Sequence, residues 1–257
     1  MEIKVFKHIF LCLLTVSSLS ACLEDEPVGG GGSADGNAEY ETGLEGLSAL
    51  CLNESGDGLL VAEDNGHIYE FGLDGKRRNT LSFPAPNNAR DWEGITKAAD
   101  GTIYLCEERT REIYKLSADH QSVTLVSQGP KEGTKDNQGF EGIAAAPGIL
   151  YVANQSVPTR VYTYNLESHS WATAFDLDSK VFESLSDIYY DAGDGTLWIT
   201  DAKTQKLTQL KTDGTVLKSI SLTFVAKPEG YCKDTAGQAY WFVCDQTAKL
   251  YKRSKLQ

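Results

Sequence analysis

The chain has 257 residues, 41% of them hydrophobic, enough to bury one large core or two small ones. A formal charge of −12 excludes non-specific nucleic-acid binding, which needs a basic face for phosphate. Cations, basic surfaces and neutral ligands suit an acidic chain, and the same charge serves solubility.

Lys4 and Lys7 precede the apolar run "IFLCLLTV" (9–16), which is too short to span a bilayer, and "LSAC" follows, ending at Cys22. The pattern resembles the lipobox of bacterial lipoproteins, which implies removal of residues 1–21 and acylation of Cys22. Each buried acyl methylene contributes roughly 0.8 kcal/mol, so several chains on Cys22 would hold the protein on a membrane. Residues 22–37 are acidic, rich in glycine and almost free of apolar side chains, and read as a flexible tether. The acids directly after Cys22 resemble an export signal of some surface-exposed outer-membrane lipoproteins. The expected location is the cell envelope, lipid-anchored, on the periplasmic or the cell-surface side.

From residue 38 the sequence repeats. Five segments begin alike, "LEGLSA" at 44, "WEGITK" at 92, "FEGIAA" at 140, "LSDIYY" at 185 and "PEGYCK" at 228. Their acids are Glu45, Glu93, Glu141, Asp187 and Glu229, at spacings of 48, 48, 46 and 42 residues, the period of propeller blades. Each repeat continues with a Gly- or Asp-rich turn and a second strand, "LLVAE", "IYLCE", "LYVAN", "LWITD" or "WFVCD". A third strand follows, "HIYEF", "EIYKL", "RVYTYNL", "KLTQL" or "KLYK", and four repeats add a fourth. Short strands and turn chemistry, with no long 3.6-residue period, predict an all-β fold. The architecture expected for 38–257 is a five-bladed β-propeller of four-stranded antiparallel blades. The fifth repeat stops after its third strand, so closure requires the weak strand former "AEYETG" (38–43) to supply the outer one.

Glutamate is depleted from strands, so its recurrence before apolar runs needs a cause. In a propeller the innermost strand of each blade starts, and the second strand ends, on one face beside the central channel. The five repeated acids then ring the channel mouth. The second-strand ends Glu63, Glu107, Asn154, Asp201 and Asp245 form a second ring of oxygen donors. Crowded carboxylates repel unless a cation or shared protons intervene. A hard ion taking roughly six to eight oxygens, Ca2+, suits such a set. Ten donors exceed one ion's shell, so some acids are expected to pair with Arg90, Arg109 or Lys227, or to accept backbone N–H groups. A purely structural use stands beside the cation reading: the glutamate ties down the neighbouring blade's loop and its glycine allows close approach.

Cys51, Cys106, Cys232 and Cys244 lie in predicted strands without CxxC spacing, so buried free thiols are expected rather than a zinc site or a disulfide. His67, His120 and His169 are scattered without ligand spacing, which disfavours zinc and copper.

Over roughly residues 44–253 the chain resembles the SdiA-regulated family of bacterial β-propellers, which includes a calcium-regulated propeller protein. The resemblance is carried by "DWEGI" (91–95), "EERTREIY" (107–114), "NQGFEGIAAA" (137–146) and "KPEGYCKDTAGQAYWFV" (227–243). The chain departs from the family pattern at "NQSVP" (154–158), where many members carry an acidic-plus-lysine run, and at "LSDIYY", where a serine-glycine pair is usual. The resemblance implies an envelope location and a link to calcium homeostasis, without an established enzymatic activity.

The sequence therefore predicts a monomeric, non-enzymatic propeller that binds a divalent cation at its channel mouth, in sensing, interaction or calcium homeostasis. The alternative is a calcium-dependent hydrolase, a lactonase, esterase or phytase-like enzyme, with Glu108 as general base and Arg109 as anion clamp. No GxSxG or HExxH motif accompanies it. A peptide- or glycan-binding module would use Trp92 and Trp171 as exposed aromatics, against the alternative that both pack between blades.

Overall fold

The computed structural model describes residues 36–84, 91–132 and 138–256, and every regular element among them is a β-strand. After β1 (Ala38–Glu41), blade 1 comprises β2 (Leu47–Leu52), β3 (Gly58–Glu63), β4 (Ile68–Gly72) and β5 (Arg77–Leu81). Blade 2 comprises β6 (Trp92–Lys97), β7 (Ile103–Glu107), β8 (Glu112–Leu116) and β9 (Val123–Gln128). Blade 3 comprises β10 (Phe140–Ala146), β11 (Ile149–Asn154), β12 (Arg160–Asn165) and β13 (Ser170–Asp176). Blade 4 comprises β14 (Leu185–Asp191), β15 (Thr196–Asp201), β16 (Lys206–Leu210) and β17 (Val216–Ser221). Blade 5 comprises β18 (Pro228–Lys233), β19 (Tyr240–Cys244) and β20 (Lys249–Arg253), with β1 at its outer edge. This is the five-bladed propeller that the repeats predict.

Burial follows strand position. The second strands are enclosed on both faces and read as unbroken apolar runs such as "YWFVC", whereas the outer strand β17 is mostly exposed. The core lies between blades rather than within one: Ala49 and Leu60 of blade 1 share a cluster with Trp92 and Leu105 of blade 2. Trp92 is fully buried, edge-on to Tyr114 at 5.2 Å, and Trp171 packs on Phe140 at 5.6 Å. Both tryptophans pack against other aromatic rings, as the packing alternative expects. Cys51, Cys106, Cys232 and Cys244 are buried and free, as expected.

Closure uses the weak strand former. β1 pairs antiparallel with β20, placing Glu41 opposite Lys249, and Lys249 Nζ lies 2.9 Å from Glu41 Oε1. Arg253 adds an ion pair to Glu39 at 2.9 Å. Tyr40 stacks on Trp241 with centroids 5.9 Å apart and planes 19° from parallel. Cross-strand charge and one aromatic stack supply what the propensity of "AEYE" lacks.

The recurring glutamate has a local cause. Each innermost strand opens with a β-bulge: Trp92 pairs with Glu107 and Gly94 with Cys106, which leaves Glu93 as the extra residue. The same break leaves Ser48, Glu141, Ser186 and Glu229 unpaired in the other four blades. A bulge re-aims its extra side chain, here toward the channel mouth. The ring is thus three glutamates and two serines. Glu45, which the repeat alignment puts on it, lies three residues before Ser48 and is exposed. Asp187 sits one residue past the bulge, in the position of Gly142 and Gly230.

Those glycines let neighbouring innermost strands meet. A Cβ on Gly142 would lie 2.6 Å from Ile188 N, and one on Gly230 would lie 2.9 Å from Leu50 N. Asp187 instead reaches across to blade 5, accepting the N–H of Tyr231 at 2.8 Å and that of Ile188 at 2.8 Å.

Candidate functional site

Acids converge at the mouth formed by the bulges. Asp91 precedes β6, Glu93 is its bulge residue, and Glu108 follows β7. One carboxylate oxygen from each of these three lies within 4.8 Å of the others. Glu108 is only 3% exposed, and its Oε1 is buried without a hydrogen-bond partner. Burial raises the Glu108 pKa and pushes that of the neighbouring Glu141 carboxyl well above its ordinary value. The mouth encloses about 190 Å3, with Asp64, Glu229 and Asp245 completing the rim.

The electrostatics follow from crowding in a desolvated space. Burial first, then the charges of Glu108, Asp91 and Glu229, push the Glu93 pKa well above the ordinary range. Burial and the neighbouring acids do the same to Glu141. Burial raises Glu229 to about 7, with the Lys227 ammonium holding it down. Burial raises Asp64 as well, helped by Asp91 and Asp245.

Two cations line the rim. Arg109 Nε is 2.5 Å from Asp91 Oδ2, and Lys227 Nζ is 2.6 Å from Glu229 Oε1 and 3.0 Å from Asp245 Oδ2. Burial opposes the Lys227 charge, but Glu229 and Asp245 outweigh it and hold the ammonium protonated beyond the usual lysine range. The pairing expected of Arg109 and Lys227 is therefore present. Arg90 lies outside the described residues.

The second-strand ends are placed differently. Glu107 Oε2 accepts the Thr110 N–H at 2.5 Å and its hydroxyl at 2.7 Å. Asp201 accepts the N–H groups of Glu183, Ser184 and Thr204, and Asn154 donates to the Ser156 and Pro158 carbonyls. Glu63 accepts the Tyr69 hydroxyl at 2.8 Å. Glu107, Asp201 and Asn154 tie down turns and loops, and Glu63 holds the adjacent strand β4. Asp245 follows Cys244, which fills the equivalent pairing position, and reaches the rim with Oδ1 on the Gly46 N–H at 3.1 Å. Asp187 is fully engaged by its two N–H bonds in the channel wall, and burial raises its pKa well above the ordinary value. The structure thus brings Glu93, Glu141, Glu229 and Asp245 to the mouth with Glu108. It adds Asp91 and Asp64, which the repeat pattern does not mark.

The channel's other end widens into a mainly apolar cavity of about 480 Å3 beside Tyr189. Its cations are engaged within the fold: Lys97 Nζ donates to the Asn53 carbonyl at 2.6 Å, and Lys233 pairs with Asp191. Convergent oxygen donors distinguish the acidic mouth.

Fold and mouth together define a five-bladed β-propeller with an acidic channel opening. Among solved structures, the chain is similar to a chain of a nidogen/laminin complex, at 15% identity and TM-score 0.59, covering 82% of this chain and 76% of that one. A Bacteroides thetaiotaomicron VPI-5482 protein of unknown function aligns at 14% identity and TM-score 0.59, over 80% of this chain and 53% of that one. Virginiamycin B lyase from Staphylococcus aureus aligns at 17% identity and TM-score 0.52, over 88% and 80%. At such identities the likeness is one of fold. The sequence matches the SdiA-regulated family over residues 37–242, and the chain belongs to that family.

Proposed function

We propose that the protein is a lipid-anchored envelope propeller that holds a divalent cation at the acidic mouth, in sensing, interaction or calcium homeostasis. Asp91, Glu93 and Glu108 would hold the ion, with Glu229 on the rim beside them and Glu141 next to Glu108. One observation carries this reading: three carboxylate oxygens converge within 4.8 Å, and the buried Oε1 of Glu108 has no hydrogen-bond partner. An unsatisfied buried polar atom costs about 1–3 kcal/mol, which a bound cation would offset. An all-oxygen donor set favours a hard ion over zinc or copper. Calcium tolerates irregular geometry, which suits ligands drawn from a bulge, the residue two before it and a turn after a strand. When bound, the ion supplies positive charge that lets the crowded acids ionise together; the chain's own part is to hold those acids in place. The lipid anchor rests on the leader pattern ending at Cys22, which lies outside the described residues. The family's link to calcium homeostasis supports the same reading.

Isothermal titration of the protein with calcium chloride tests it. We expect saturable heat at a Kd on the order of micromolar to millimolar, with a rise in melting temperature. Glu108→Gln should weaken binding about tenfold or more. No heat and no thermal shift at millimolar calcium would overturn the proposal.

A further inference from the structure

The acidic mouth carries cations of its own, and they form ion pairs with Asp91, Glu229 and Asp245. Arg109 Nε lies 2.5 Å from Asp91 Oδ2, and its side chain is 61% exposed. Lys227 Nζ bridges Glu229 at 2.6 Å and Asp245 at 3.0 Å, and its side chain is 46% exposed. No ion pair to Glu93, Glu108 or Glu141 accompanies them among the described residues. The backbone bearing these side chains is fixed independently of them: Glu108 N–H is bonded to the Asp91 carbonyl at 3.1 Å, and Lys227 N–H to Cys244 Sγ at 3.4 Å. Each cation can swing into solvent without moving the strand beside it.

We propose that Arg109 and Lys227 are tethered competitors of the metal ion, set to weaken its binding and be displaced when it loads. The inference rests on the cation reading above. A carboxylate already neutralised by a nearby ammonium or guanidinium is a poorer ligand, because the entering ion must break that pair. Tethering keeps the competitor at high effective concentration whatever the buffer contains. The repulsion between the incoming divalent ion and the two fixed charges acts in the same direction. Arg109 guards Asp91, one of the three converging ligands, and Lys227 guards the bulge residue Glu229. Loading therefore frees two cationic side chains at the rim.

The test is calcium titration of the full chain at pH 7 for wild type, Lys227→Met, Arg109→Met, the double variant and Lys227→Arg. Each methionine variant should tighten binding about fivefold or more, the double variant beyond either single one, and Lys227→Arg should stay within about twofold of wild type. A damaged fold loses affinity, so tightening is not a product of misfolding. Calcium heat from the methionine variants but none from wild type overturns the cation reading and this inference with it. Calcium bound by wild type, but equally or less tightly by the methionine variants, overturns it and leaves the cation site standing. No heat in any of the five proteins removes the cation site and this inference together.

Discussion

Asp187 Oδ2 accepts the backbone N–H of Tyr231 at 2.8 Å, joining blades 4 and 5 at the level where Gly142 lets blades 3 and 4 touch directly. The carboxylate fills the gap that close backbone contact fills elsewhere. Its other oxygen caps the Ile188 N–H, so both oxygens are committed to backbone.

Removing that bridge should be expensive. Asp187→Ala leaves two buried N–H groups unpaired and is expected to destabilise the protein by about 2–4 kcal/mol. Asp187→Asn keeps one acceptor oxygen and should lose less. Asp187→Gly should not restore stability, because glycine offers no acceptor to the Tyr231 and Ile188 N–H groups. Urea unfolding at fixed pH, with an unchanged m-value, checks all three.

The raised acids make an unusual pH profile. A carboxyl whose pKa is higher folded than unfolded contributes stability that is complete below its unfolded pKa and lost as pH rises through the folded one. For Glu229 that window runs from about 4.5 to about 7 and is worth on the order of 3 kcal/mol, with Glu93, Glu141 and Asp187 shifted in the same direction. The metal-free protein should therefore lose stability between pH 4.5 and 7, and Glu229→Gln should flatten part of that slope. Thermal denaturation in chelator across this range would show it. A stability rising toward pH 7 would contradict the burial of these acids.

The bulge register separates two neighbouring sites. Glu45→Gln, at an exposed position, should leave stability within about 0.5 kcal/mol and calcium binding unchanged. Ser48→Glu would add a fourth glutamate to the ring. We expect it to destabilise the metal-free protein by about 1–3 kcal/mol at neutral pH, with calcium restoring part of the loss. Denaturation with and without calcium distinguishes the two positions.

Ring closure adds an aromatic stack and ion pairs to the β1–β20 ladder. Tyr40→Ala removes the stack on Trp241 and should cost about 1–3 kcal/mol by denaturant unfolding. The ion pair between Lys249 and Glu41 is half-exposed, and Lys249→Met should cost less than Tyr40→Ala.

Turn chemistry and apolar runs by themselves determined five blades, their strands and the swap of 38–43 into the last blade, because those signals are local in the chain. They also marked Glu93, Glu141 and Glu229. The slip at Glu45 was legible in principle: the bulge residue precedes the second-strand end by 14 residues at Glu93, 13 at Glu141 and 15 at Ser186, against 18 from Glu45 and 15 from Ser48. Matching "SD" of "LSDIYY" to "EG" elsewhere puts Asp187 at the glycine and Ser186 on the ring. Side-chain direction reverses with each one-residue step along a strand, so a motif aligned by eye carries that ambiguity. Only the tertiary structure brought Asp91 and Asp64 to the mouth and decided which acids Arg109 and Lys227 take as partners. The ion pairs lie within single blades, Arg109 with Asp91 in blade 2 and Lys227 with Glu229 and Asp245 in blade 5, but the mouth gathers Asp64, Glu93 and Glu229 from three blades, and a distance across the channel has no counterpart in spacing along the chain.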